Sequence, residues 1–133
     1  MRKSDFFIKN AQELRKLEIL CGGSGFKDRE LRALKNCKQL EILDLRGDFS
    51  SEAMVDFITN SNQKLCKIWI QGSSFDDTVL LALKNRQGLE DVTLSGNFSS
   101  AAMADFIDGN NTTLFSLKIY KSNFNDAVLT ALT

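Results

Sequence analysis

Three cysteines, Cys21, Cys37 and Cys66, and the adjacent carboxylates Asp76 and Asp77 are the side chains of this 133-residue chain whose types first suggest chemistry. A thiol becomes a nucleophile when a neighbouring base or cation lowers its pKa, and histidine is the usual base. The chain has no histidine. That removes a Cys–His pair, a triad built on the doubled serines at 50–51 and 99–100, and a mixed cysteine–histidine zinc site; the cysteines show no C-x-x-C spacing either. A carboxylate pair can divide acid and base roles between its members. In DDTVLLAL, however, one aspartate reads as a helix cap and the other as a solvated turn residue. The loop CGGSG at 21–25 lacks the spacing of a phosphate-binding G-x-x-x-x-G-K-[ST] and reads as a widened turn. The expectation is a protein that is not an enzyme, with no cofactor and no metal.

Recognition is better provided for. Trp69, the single tryptophan, lies in KIWIQ between Ile68 and Ile70. Alternation along a strand turns it away from those two apolar neighbours. Large rigid aromatics with a polar edge dominate protein interfaces, so an exposed Trp69 is expected to be an anchor. The same alternation lines up two columns across the chain: Glu18, Asp44, Trp69, Thr93 and Lys118, then Leu20, Arg46, Gln71, Ser95 and Tyr120. Residues 44, 46, 69, 71, 93, 95, 118 and 120 are the candidate protein-binding set. They differ between otherwise near-identical segments, and variation inside a copied frame is where specificity can be written.

The copied frame is explicit. EILDLRGDFSS at 41–51 returns as EDVTLSGNFSS at 90–100, and SGFKDRELRALKNCKQLE at 24–41 returns as SSFDDTVLLALKNRQGLE at 73–90. The central aliphatic residues of successive apolar runs, Leu17, Leu43, Ile68, Val92 and Leu117, give intervals of 25, 24 and 25 over the last four. That period lies within the range of the leucine-rich repeat, L-x-x-L-x-L-x-x-N/C-x-L. Asp48, Ser73, Asn97 and Ser122 fall at its asparagine position, where a short polar side chain can bond buried backbone groups. The first repeat fits with Leu14, Leu17 and Ile19 if LCGGSG carries an insertion before Phe26; a second register would use Ile19 and Cys21.

Successive repeats alternate. Phenylalanine follows the ladder residue by two positions in odd units (Phe26, Phe75, Phe124) and immediately in even units (Phe49, Phe98). The two-repeat unit is what was duplicated, so that neighbouring turns can interlock. Each phenylalanine leads into a helical pattern. Asp28, Asp77 and Asp126 are placed to cap helices carrying Leu31 and Leu34, Leu80 and Leu83, and Leu129 and Leu132. Ser50–Ser51 and Ser99–Ser100 take that place ahead of Met54, Phe57 and Ile58, and of Met103, Phe106 and Ile107.

FKDRELRALKNCKQLEILDL resembles the cysteine-containing leucine-rich repeat of F-box-type proteins, in the ribonuclease-inhibitor-like superfamily, with the sensing repeats of NLR receptors as a second likeness. The residues that carry it are Asp28, Leu31, Leu34, Cys37, Leu40, Leu43 and Leu45; Arg86 stands in the second copy where Cys37 stands in the first. The resemblance implies an α/β fold: a right-handed leucine-rich-repeat solenoid, a horseshoe segment with parallel strands on its concave face and helices on its convex face. Residues 1–133 would form one domain of about five repeats starting near 14, 40, 65, 89 and 114, as a fragment or the end of a longer array. The role implied is recognition of a protein or peptide on the concave face. End-to-end self-association through Leu129 and Leu132 is the alternative.

Composition agrees with a globular chain: 43% hydrophobic, 26% charged, and 17 basic against 17 acidic residues. A net charge of zero provides no overall footprint for nucleic acid or membrane. The amino-terminal stretch is too polar for a signal peptide or a membrane span, which points to the cytoplasm. Sequons occur at 97–99, 110–112 and 111–113. Asn97 is expected to be interior, where a glycan has no room.

Overall fold

The structure, a computed structural model, describes residues 13–19, 26–110 and 113–120. Each short apolar run is a strand: β1 Lys16–Ile19, β2 Ile42–Arg46, β3 Lys67–Gln71, β4 Asp91–Ser95 and β5 Ser116–Tyr120. They form one five-stranded sheet in sequential order, and every neighbouring pair is parallel. Parallel neighbours require a crossover, supplied between β2 and β5 by a helix each time. The helices are α1 Asp28–Ala33, continued by a 3-10 turn over Leu34–Asn36, then α2 Ser51–Asn60, α3 Asp77–Lys84 and α4 Ser100–Asn110. The marker residues stand side by side, Leu17 against Leu43, Leu43 against Ile68, Ile68 against Val92 and Val92 against Leu117. The register through Leu17 therefore holds in the first repeat, and the one through Ile19 and Cys21 does not.

One face of the sheet is sealed. Leu43, Leu45, Ile68, Ile70, Val92 and Leu94 are fully buried, in one continuous core with the helix stripes expected from sequence. Phe26, Phe49, Phe75 and Phe98 all enter it. The rings of Phe26 and Phe49 meet edge to face, centroids 6.4 Å apart. Gly96 explains how closely odd and even turns approach: a Cβ there would lie 2.3 Å from the carbonyl oxygen of Phe75.

The alternation has consequences that correct the sequence reading. In even units the phenylalanine follows directly, so the residue before it faces outward. Asp48 and Asn97 are exposed and are not interior ladder residues. The odd-unit residue does enter: the Ser73 hydroxyl donates to the Gly47 carbonyl at 2.6 Å and accepts the Phe49 N–H at 3.0 Å. Ser95 takes over next, donating to the Ser73 carbonyl at 2.6 Å and accepting the Ser73 N–H at 3.2 Å. Ser122, Phe124, Asp126, Leu129 and Leu132 lie outside the described residues, as do Leu20 and Cys21.

The caps are also redistributed. Ser50 and Ser99 do cap their helices, accepting the N–H groups of Ala53 and Ala102 at 3.1 Å each. Asp28 and Asp77 do not; both are first helical residues. α1 is instead closed by Glu30, whose carboxylate accepts the Lys27 N–H at 2.8 Å, and α3 by Asp76, which accepts the Thr78 N–H at 3.0 Å. Asp28 and Asp77 reach sideways to the next turn, accepting the N–H groups of Ser50 at 2.9 Å and Ser99 at 2.8 Å.

Candidate functional site

The other face of the sheet carries the candidate set. Register places Glu18 beside Asp44, Asp44 beside Trp69, Trp69 beside Thr93 and Thr93 beside Lys118, as alternation requires. Arg46 pairs with Gln71, and Ser95 with Tyr120. Arg46, Lys118 and Tyr120 are exposed, while Asp44, Trp69 and Gln71 are half-buried. Trp69 is thus less open than expected, lying on the middle strand of the sheet with a neighbour on either side.

Thr93 and Ser95 depart furthest from expectation, being only 5% and 4% exposed. They are short residues on β4 between longer ones on β3 and β5, so they form a floor rather than a surface. The Ser95 hydroxyl is committed to the Ser73 backbone. Thr93 is not: among the described residues its hydroxyl has no hydrogen-bond partner, and it lines a pit of about 260 Å³. Trp69 and Lys118 stand on either side of Thr93, with Gln71 and Tyr120 above it. Asp44 and Asp91 complete the lining.

Asp91 was missed from sequence. It precedes Val92, outside the two columns chosen, although the same period-two rule puts it two residues before Thr93 on the same face. Its register neighbours are Lys67 and Ser116.

The electrostatics are uneven. Glu18 is held by Lys16 at 2.8 Å, which raises the Lys16 pKa. Asp44 has no such partner among the described residues. Partial burial pushes its carboxyl above the usual range; the neighbouring Glu18 charge adds to this, and Arg46 and Lys16 oppose it.

The helical side carries no comparable chemistry. Cys37 is buried, and burial pushes both its thiol and that of Cys66 up, away from the reactive thiolate. Asp76 and Asp77 are engaged as cap and lateral brace. Among the described residues no cluster of histidine, cysteine or carboxylate side chains is placed to hold a metal ion. No helix among them is long and apolar enough to cross a membrane.

Arg86, at the position matching Cys37, is 5% exposed and acts within the fold. Its guanidinium donates to the Ile58 carbonyl at 3.1 Å, to the Ser61 hydroxyl at 2.9 Å and to the Asn62 carbonyl, all at the end of α2 and just beyond it. Burial without a carboxylate partner among the described residues lowers its pKa. The carbonyl end of α2 compensates the charge.

Neither a protein-family profile nor a curated protein matches the sequence. The fold is similar to that of a solved structure of leiomodin-1 actin-binding site 2, with a TM-score of 0.70 over 97% of this chain and 82% of that one, at 11% identity. At that identity the likeness is one of fold.

Proposed function

We propose that this chain is a leucine-rich-repeat module of the ribonuclease-inhibitor-like kind, non-catalytic and cytoplasmic, that binds a protein or peptide on the open face of its sheet. The observation that carries the reading is the pit over Thr93. A half-buried tryptophan and an exposed tyrosine frame a depression with a polar floor, the arrangement in which aromatic anchors contribute most to binding. The period of the repeat and the parallel sheet in sequential order support the repeat assignment. The chain of similar fold is named for binding a protein, actin, which supports a protein partner in a coarse sense.

A photo-crosslinking residue introduced at Gln71 should capture the partner from cells, whereas the same residue at Leu81, 57% exposed on α3 on the opposite side, should not. Trp69→Ala and Tyr120→Ala should each abolish the Gln71 product while leaving the circular dichroism spectrum intact. Capture from Leu81 alone, or capture indifferent to Trp69, would reject the reading.

A second reading, end-to-end stacking of chains, draws on β5: Leu114, Leu117 and Ile119 are only partly buried, while Leu89, Val92 and Leu94 in the preceding repeat are fully buried. Concentration-dependent sedimentation that survives Trp69→Ala and disappears with Leu117→Lys would favour it.

A further inference from the structure

We infer that the pit over Thr93 is built for a cationic side chain of the partner, arginine above all. The inference rests on the recognition reading and deepens it. Two carboxylates, Asp44 and Asp91, and one ammonium group, Lys118, line the pit, leaving one negative charge in excess. Among the described residues neither carboxylate makes a hydrogen bond or an ion pair. Lys67 is the register neighbour of Asp91, yet no ion pair closes between them.

Trp69 lies between Asp44 and Thr93 in the column, so an aromatic ring adjoins a carboxylate. A guanidinium placed there stacks on an aromatic face while its N–H fork reaches carboxylate oxygens. Thr93, only 5% exposed as a residue and with no hydrogen-bond partner among the described residues, offers its hydroxyl as an acceptor at the floor. A volume of about 260 Å³ accommodates one long side chain and falls below the usual size of a small-molecule pocket. The raised pKa of Asp44 points the same way, since its causes are desolvation and the neighbouring Glu18 charge, and a bound cation would offset both.

Lys118 sets the limit. It stands across Thr93 from Trp69, so the pit favours a single cation approaching from the Trp69 side. An acidic guest would meet Asp44 and Asp91, and a neutral aromatic guest would leave both carboxylates desolvated and uncompensated.

The single tryptophan makes a clean reporter. N-acetyl-argininamide titrated into the intact chain should shift the Trp69 indole N–H resonance saturably. N-acetyl-glutamate and N-acetyl-phenylalaninamide should not. Asp44→Asn and Asp91→Asn should each weaken the arginine response by about five-fold, Lys118→Gln should strengthen it by a similar factor, and added salt should weaken it. An equal response to the acidic or aromatic probe, no response to arginine, or indifference to both carboxylate changes would overturn the inference. The two Asp→Asn substitutions are isosteric and keep the shape of the face, and the three-probe comparison needs no variant at all. Partner capture that depends on Trp69 without any preference for arginine would reject this inference and leave the recognition reading standing; arginine binding with capture indifferent to Trp69 would do the reverse.

Discussion

Asp77 of α3 accepts the backbone N–H of Ser99 at 2.8 Å, although 22 residues separate them, and Asp28 of α1 holds Ser50 in the same way at 2.9 Å. Each serine in turn caps its own helix. The carboxylate of an odd-type turn thereby fixes the residue that starts the next helix. Between the two pairs, the Ser51 hydroxyl accepts the Asp76 N–H at 3.1 Å, which carries the connection from the even turn to the odd one.

Removing that brace should be felt across the repeat boundary. Asp77→Ala should cost about 1 kcal/mol in urea denaturation, similar to loss of the Asp76 cap. Ser99→Ala removes the hydroxyl that caps α4, a site coupled to Asp77 through the shared backbone. The double variant should therefore fall short of the sum of the two losses. Strict additivity would show that the two turns are not coupled there.

The two faces of β3 should behave oppositely. Ile68 is fully buried, as is Leu43 beside it, so Ile68→Ala or Leu43→Ala should cost about 2–5 kcal/mol. Trp69→Ala should cost clearly less, because its ring is only half-buried, while removing partner capture. Equal melting losses for Trp69→Ala and Ile68→Ala would place the indole in the core.

Arg86 makes a sharper case. Arg86→Ala strands the Asn62 carbonyl just beyond α2, leaves the Ile58 carbonyl in its last turn with only the long bond from the Ser61 hydroxyl, and should cost about 3 kcal/mol. Arg86→Lys should recover little of it, because one ammonium group cannot reproduce a fork that serves several acceptors at once. A lysine variant as stable as the parent, measured by guanidinium denaturation, would mean that charge alone matters here.

Asp44 predicts a pH dependence. Its folded pKa is raised, so the stability tied to its protonated form is complete below the ordinary carboxylate pKa and is lost as pH rises through the raised value. Asp44→Asn should consequently be more stable than the parent at neutral pH, with the difference vanishing in acid. A difference that stays constant across that range would leave the shift without thermodynamic weight.

The sequence by itself determined the period, the strand register and the apolar helix stripes, because burial imposes side-chain types at fixed spacing. Leu17, Leu43, Ile68, Val92 and Leu117 stand where counting put them. It also assigned Asp44, Trp69 and Lys118 to one column, since alternation is a local property of a strand. What only the tertiary structure decided lies between turns. Asp28 and Asp77 serve the neighbouring turn rather than their own helix, Ser95 replaces Asn97 as the bonded residue, and Thr93 sinks to a floor because its cross-strand neighbours are longer. Those outcomes depend on side chains about two dozen positions away, and local spacing carries no information about the size or hydrogen-bonding needs of a residue on the next strand.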